Sequence, residues 1–122
     1  MTLDAGALIA LDRKDRKVLV LLARAKELGV RVTVPATALA QAIRRPAAQA
    51  RLARLIRQPT TDLRSLDAVD ATSVGILLGV SRTRDIADAH VVICAKRARQ
   101  AIVTSDPDDL VRLDPSASLV RI

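Results

Sequence analysis

The chain lacks aromatic side chains altogether: none of its 122 residues is Phe, Trp or Tyr. RRM and OB-fold domains bind single-stranded nucleic acids by stacking bases on aromatic side chains, so the composition argues against a protein of either kind. Half of the residues are nevertheless hydrophobic. The chain is therefore long enough and apolar enough for a single domain over residues 1–122, with a core of Leu, Val, Ile and Ala.

Cysteine and histidine are nearly absent as well, since Cys94 and His90 are the only examples. One His and one Cys cannot build a zinc site of the usual kind. Cys94 lies in an apolar helical segment, so we expect a small buried hydrophobe rather than a nucleophile. For His90 two interpretations remain open: a hydrogen-bonded helix histidine, or a side chain that contacts a substrate.

Long apolar runs are missing too. No stretch reaches the roughly 18 apolar residues that a membrane-spanning helix needs, so we expect no membrane span. The first residues also lack a basic region followed by an apolar one, which argues against a secretory signal. Together with the single thiol, these absences predict a cytoplasmic protein.

The charge is strongly unbalanced along the chain. The net charge of +7 divides into +8 over residues 1–58 and −1 over residues 59–122. Four arginines of the basic half are close together in sequence: Arg44, Arg45, Arg51 and Arg54. They could form a solvated face, or they could contact the phosphates of an RNA or an acidic partner protein.

Apolar periodicity predicts an alternation of strands and helices. Val18, Leu21, Leu22 and Ala25 recur at helical spacing, whereas residues 30–34 alternate as a strand does. The predicted strands are residues 1–3, 30–34, 60–63, 102–103 and 118–122. The predicted helices are residues 5–11, 16–28, 37–43, 47–57 and 67–78, one that Asp85 opens and that ends near Ala98, and one that Asp106 opens. This pattern predicts an α/β sandwich with a mainly parallel sheet.

Acidic residues lie where predicted strands end or helices begin. Asp4 and Asp106 each follow a strand, and Asp85 and Asp88 open a helix. Each could simply cap its helix, and Asp67-Ala68-Val69-Asp70 repeats the spacing of Asp85 and Asp88 without suggesting a catalytic role. However, the carboxyl ends of parallel strands meet at one edge of the sheet. Carboxylates that converge there repel one another unless a cation joins them, and oxygen ligands favour Mg²⁺ or Mn²⁺.

Four segments, in order, resemble a known family. They are Leu3-Asp4-Ala5-Gly6-Ala7-Leu8, Val34-Pro35-Ala36-Thr37-Ala38-Leu39-Ala40, Asp88-Ala89-His90 and Val103-Thr104-Ser105-Asp106. Over nearly its whole length the chain is similar to PIN domains, and among them to the VapC-like toxins of type II toxin–antitoxin systems. The resemblance implies a PIN-like three-layer α/β/α sandwich.

The same resemblance implies a function. The family's activity would be metal-dependent endoribonuclease cleavage of structured RNA, with Mg²⁺ or Mn²⁺ as the cofactor. Asp4, Asp88 and Asp106 match three of the family's four metal-binding acids, and Asp85 could assist them. Thr104 could orient a ligand or a water, or could be an ordinary buried strand threonine. The implied partners are an RNA substrate, a cognate antitoxin and a second copy of the chain.

One position departs from the family pattern. Gln41 occupies the place where the family usually has Glu, and Gln is neutral and cannot act as a base. An alternative hypothesis is therefore a catalytically weakened module of the same fold that binds RNA or an antitoxin without cutting. A third is a receiver-like or phosphatase-like domain, which would need a Lys facing a nucleophilic Asp. Lys96 is the only Lys after Lys26.

Overall fold

The computed structural model describes residues 1–122 as an α/β domain, in which a five-stranded parallel sheet and seven helices form a three-layer α/β/α sandwich. The strands are β1 (Thr2–Leu3), β2 (Val32–Pro35), β3 (Thr61–Arg64), β4 (Ile102–Thr104) and β5 (Leu119–Arg121). The helices are α1 (Ala5–Asp12), α2 (Arg16–Leu28), α3 (Ala36–Ala42), α4 (Ala50–Arg57), α5 (Ala68–Ser81), α6 (Ile86–Ala98) and α7 (Pro107–Leu113), with a short 3₁₀ turn at Pro46–Ala48.

The strand order β3-β2-β1-β4-β5 places the switch in chain direction at the centre of the sheet. From β1 the chain proceeds through β2 to β3 at one edge, and it then returns to β4 and β5 on the other side. Leu3 is in register with Val103, so the ends of β1 and β4 lie side by side. A parallel sheet opens a crevice at such a switch point, just beyond the carboxyl ends of the two strands.

The observed elements confirm the predicted fold class, and many of their boundaries differ from the expected ones by one to three residues. Pro35 is the last residue of β2, and α3 begins directly after it. The helix predicted over residues 47–57 is preceded by the 3₁₀ turn and starts only at Ala50. Helix α5 continues past Gly79 to Ser81, because a single glycine costs a helix only about 1 kcal/mol and does not end it.

The core is aliphatic, as the composition requires. All residues of β1, β2 and β4 are buried, which is typical of central strands covered on both faces. Two of the longer helices bury little of their surface: only Val18 and Ala25 of the 13 residues of α2 are buried, and only Asp70 and Val74 of the 14 residues of α5. No helix of the chain combines the length and the apolar composition needed to cross a membrane.

Candidate metal site

Asp4 stands at the end of β1 and is both a helix cap and a buried acid. Its Oδ1 accepts a hydrogen bond of 2.8 Å from the backbone N–H of Ala7, so the predicted capping role is correct. The residue is only 4% exposed. Burial raises the pKa of Asp4, while hydrogen bonds from the Thr104 hydroxyl and from backbone N–H groups oppose that rise.

Asp106 follows β4, and its side chain does not cap α7. Its backbone N–H instead donates a 2.9 Å hydrogen bond to Oγ1 of Thr104, which is fully buried. The Thr104 hydroxyl thus contacts both the Asp106 backbone and the Asp4 carboxylate. Thr104 is therefore a buried strand threonine whose hydroxyl links the Asp4 carboxylate to the backbone of Asp106.

Asp85 and Asp88 open α6. Oδ1 of Asp85 accepts a 2.9 Å hydrogen bond from the backbone N–H of Asp88, so Asp85 is an N-cap. That bond leaves the Asp88 side chain free. Capping therefore explains the position of Asp85 but not the carboxylate of Asp88.

The electrostatics of Asp88 show that the acids converge. Its pKa is raised to about 6, first by burial and then by the negative charges of four other carboxylates. Those carboxylates belong to Asp85, Asp4, Asp109 and Asp106. They come from the ends of two strands and the starts of two helices, as expected for the crevice at the β1/β4 switch point.

Asp109, which lies in the first turn of α7, also belongs to this cluster. The carboxyl groups of Asp106 and Asp109 interact directly, and this interaction is the main cause that raises the pKa of Asp106. Asp109 also lines a cavity of about 160 Å³ with Asp85 and Asp88. The five acids of the cluster, Asp4, Asp85, Asp88, Asp106 and Asp109, form no ion pair with any Lys or Arg side chain.

Two basic residues, Arg84 and Arg112, lie beside these acids. Both line the same cavity as Asp85, Asp88 and Asp109. Both are exposed, so they can reach a ligand that approaches from solvent. Arg84 directly precedes Asp85 and Arg112 follows Asp109 by three residues, but the two arginines are 28 positions apart, so no local pattern connects them with each other.

Gly6 allows the start of α1 to approach the loop after β4. A Cβ atom on Gly6 would overlap Oγ of Ser105 and lie 3.4 Å from Oδ1 of Asp4. The absence of a side chain at position 6 therefore determines how closely the segments that carry Asp4 and Asp106 come together.

Gln41 is exposed in the last turn of α3, and no hydrogen bond joins it to an acid of the cluster. Helix α3 begins at the carboxyl end of β2, beside β1, so it starts at the same edge of the sheet as the acids. Gln41 is five residues further along this helix. It is thus placed on an element next to the site and adds no charge there.

Two of the four predicted RNA-binding arginines are in a turn that Gln49 organises. Oε1 of the buried Gln49 accepts hydrogen bonds from the backbone N–H groups of Arg44 and Arg45, at 2.8 and 3.0 Å. The Arg44 guanidinium donates to the carbonyls of Ala40 and Ile43 at the end of α3. Arg44 is therefore occupied by a capping role, while the Arg45 side chain is exposed and free of hydrogen bonds within the chain.

Arg51 and Arg54 line a groove of about 240 Å³ with Lys26. Lys26 belongs to the last turn of α2, which leads into the beginning of β2, and α4 likewise leads towards the beginning of β3. The groove therefore lies towards the amino ends of the strands, away from the acids. It is a separate basic surface.

The arrangement does not suit a phosphoacceptor domain. Lys96 is near the end of α6 and lines a different cavity, together with Asp114 and Ser116. It is two turns along the helix from Asp88, so it does not face the acids. A cation bound from solvent would be the natural partner of Asp4, Asp88 and Asp106, and their hard oxygen atoms suit Mg²⁺ or Mn²⁺.

A second group of potential ligands lies outside this crevice. Asp70, which the sequence presents as a mere repeat of the capping pattern, is 6% exposed and forms an ion pair with Arg97. His90 is fully buried, and only one of its ring nitrogens has a hydrogen-bond partner. Cys94 is buried, as expected, and burial raises the pKa of its thiol to about 11.

No protein-family model matches the chain, and no curated protein shows significant sequence similarity to it.

Proposed function

We propose that the protein is a metal-dependent endoribonuclease that hydrolyses phosphodiester bonds of structured RNA, as its resemblance to VapC-like PIN domains implies. One observation carries this proposal. Five carboxylates converge at the β1/β4 switch point without an ion-pair partner, and burial together with the other four carboxylates raises the pKa of Asp88 to about 6. Such a cluster is costly unless a cation binds it.

Asp4, Asp88 and Asp106 are the proposed metal ligands, and Asp85 lies close enough to assist. A divalent ion held there would activate water and stabilise the charge that develops on the phosphate. Thr104 orients Asp4 and the backbone of Asp106, while the cap interaction with Ala7 fixes one oxygen of Asp4. These contacts would preorganise the ligands before any metal binds.

Arginines would hold the RNA backbone. Arg84 and Arg112 are next to the acids and would contact the phosphates that flank the cut. Arg51 and Arg54 would contact more distant phosphates, because their groove lies towards the amino ends of the strands, away from the acids. Each such contact releases counterions, so binding should weaken steeply as salt increases.

The decisive experiment measures cleavage of total RNA in Mg²⁺ or Mn²⁺ and in a chelator. The parent protein should cleave only with the metal, and Asp4→Asn and Asp88→Asn should each lower the rate by at least about 100-fold. Glu27→Gln removes the same charge from an exposed site on α2 and should cleave like the parent. Equal cleavage by the parent and by Asp88→Asn would refute the proposed site.

RNA binding can be measured separately in Asp88→Asn, which holds substrate without turnover. Replacing Arg84 and Arg112 with Ala should reduce the dependence of affinity on salt concentration by the equivalent of about two phosphate contacts. Replacing Arg24, which is exposed on α2, serves as the control for overall charge. A parent affinity that does not change with salt would contradict the RNA proposal.

A second candidate function is RNA or antitoxin binding without cleavage. It is favoured by Gln41, which contributes no charge at the position where the resemblance expects a fourth acid. In that case the parent protein would bind RNA but would remain inert in Mg²⁺ and in Mn²⁺. Gln41→Glu would then be the variant that begins to cleave.

Protein partners complete the proposal. An antitoxin would place a Lys or Arg among the acids, because a basic side chain satisfies the same carboxylates as the metal does. A second copy would cover α5, whose Val69, Ile76 and Val80 are each at least 64% exposed. We expect the parent to be a dimer in light scattering and Ile76→Glu to be a monomer.

A further inference from the structure

We propose that Asp70, His90 and Cys94 bind a Zn²⁺-class transition-metal ion between α5 and α6, at a site separate from the carboxylate cluster. A ring nitrogen of His90, the sulfur of Cys94 and a carboxylate oxygen of Asp70 all lie within 4.8 Å of one another. All three residues are buried. Nitrogen, sulfur and oxygen donors together form a set that Zn²⁺ accepts and that Mg²⁺ does not favour.

The distances are close to those of a coordination shell. In a tetrahedral zinc site, nitrogen and oxygen ligands are about 3.4 Å apart and a sulfur is about 3.6 Å from either. Nε2 of His90 is 3.6 Å from Oδ2 of Asp70. The sulfur of Cys94 lies no more than 4.8 Å from the other two ligand atoms, so a shift of about 1.2 Å at most, which a small side-chain rotation provides, brings it into place.

His90 supplies the independent sign that a ligand is missing. The side chain is 0% exposed, yet its Nε2 has no hydrogen-bond partner. The nearest acceptor, Oδ2 of Asp70, is 3.6 Å away, which is too long for a hydrogen bond. A polar atom left without a partner in the core destabilises the folded state, and coordination to a metal removes that cost.

Thr37 holds the imidazole in a suitable orientation. Its Oγ1 lies 2.7 Å from Nδ1 of His90. If the ring donates its proton there, Nε2 presents a lone pair towards Asp70 and Cys94. Metal-binding histidines usually fix their tautomer in this way, through a hydrogen bond from the other ring nitrogen.

The surroundings leave room for an ion and a fourth ligand. A cavity of about 500 Å³ borders the site and is lined by Asp70 and Cys94, among other residues. It provides both a path of entry and space for a bound water. Arg97 forms an ion pair of 2.7 Å with Oδ1 of Asp70, which leaves Oδ2 facing His90.

Coordination would replace the thiol proton of Cys94 by the metal and release that proton to solvent. The thiolate and the Asp70 carboxylate would then balance the two charges of the ion. Because Asp70 belongs to α5 and His90 and Cys94 belong to α6, the metal would cross-link these two helices. We therefore expect zinc to raise the melting temperature of the protein.

The test uses the metal-free protein with a phosphine reductant and with excess Mg²⁺, which is added to compete with Zn²⁺ for the carboxylate cluster. Co²⁺ should produce an absorption band of thiolate-to-cobalt charge transfer, and Zn²⁺ should bind one ion per chain by calorimetry and displace the Co²⁺. Cys94→Ala should lose the band and at least about 100-fold in Zn²⁺ affinity, and Thr37→Val should lose about 10- to 100-fold.

Two controls separate this site from its neighbours. Ser65→Ala changes the same cavity without removing a ligand, and Asp88→Asn changes the carboxylate cluster; both should bind Zn²⁺ as the parent does. Circular dichroism verifies that each variant is folded. Absence of the band in the folded parent would overturn the proposal. So would unchanged Zn²⁺ affinity in Cys94→Ala or Thr37→Val, or loss of that affinity in Asp88→Asn.

Discussion

Asp88→Asn should stabilise the metal-free protein near neutral pH, even though it removes a proposed ligand. The pKa of Asp88 is raised from 3.8 to about 6, so the ionised side chain favours the unfolded state. Each pKa unit corresponds to 1.36 kcal/mol of unfolding free energy, so the full shift corresponds to about 3 kcal/mol. Asp88 is only half-buried, and solvent screening reduces this to about 1–1.5 kcal/mol. Asn has nearly the same shape as Asp and carries no charge, so it escapes this cost.

The pH dependence follows from the sign of the shift. The folded state binds the Asp88 proton more tightly than the unfolded state does. The resulting stabilisation is complete below pH 3.8 and is lost as the pH rises to about 6. Asp88→Asn should therefore exceed the parent in unfolding free energy by about 1–1.5 kcal/mol at pH 7.5, and by almost nothing below pH 4.

Urea unfolding in a chelator, followed by far-ultraviolet circular dichroism, measures this difference. Fluorescence is unsuitable because the chain contains no Trp or Tyr. Mg²⁺ at one hundred times its dissociation constant should add about 2.7 kcal/mol to the parent and much less to Asp88→Asn, so the order of stability should reverse. Glu27→Gln controls for net charge and should stay within about 0.5 kcal/mol of the parent. An Asp88→Asn variant no more stable than the parent at pH 7.5 would refute the assigned repulsion.

Three further variants probe the site and the core. Gly6→Ala should lower the free energy of urea unfolding by about 1–3 kcal/mol, because the added Cβ would overlap Oγ of Ser105, and Ser105→Ala in the same chain should recover part of that loss. Unchanged stability of Gly6→Ala alone would contradict the close approach of the two segments. Leu52→Ala should cost about 2–5 kcal/mol in the same assay, since Leu52 is fully buried on α4, and a loss under 1 kcal/mol would show that the core can collapse around it. Gln41→Glu should lower stability in chelator, raise it in Mg²⁺ and increase RNA cleavage; no change in metal affinity would show that position 41 does not face the acids.

The fold could be predicted because its signals are local. Gly29 ends α2 with φ of 66°, and Asp15 begins that helix with hydrogen bonds to the backbone N–H groups of Lys17 and Val18. The central strands are short, mostly apolar and fully buried, so the hydrophobic pattern and the residues that end helices and strands are sufficient to locate them. The same signals indicated a parallel sheet, and this in turn predicted that Asp4 and Asp106 meet at one edge.

The site could be predicted only in part, because equal local patterns can have different surroundings. Asp67 and Asp70 form the same cap as Asp85 and Asp88, with a hydrogen bond of 2.8 Å in place of 2.9 Å. Yet Asp88 lies among carboxylates, whereas Asp70 lies beside an arginine and a histidine. The neighbours of each helix, which the spacing within that helix does not encode, determine the difference.

Helix α6 contributes to both proposed sites, and its geometry explains why they are independent. Asp88 and His90 are two residues apart, which separates their side chains by about 200° around the helix axis. His90 and Cys94 are four residues apart and therefore lie on one face. The face with Asp88 offers oxygen ligands next to solvent, and the face with His90 offers nitrogen and sulfur ligands in the core. A hard ion such as Mg²⁺ should therefore prefer the face with Asp88 to the face with His90. Asp88→Asn should lose Mg²⁺ binding and keep Zn²⁺ binding, whereas Cys94→Ala should lose Zn²⁺ binding and keep Mg²⁺ binding.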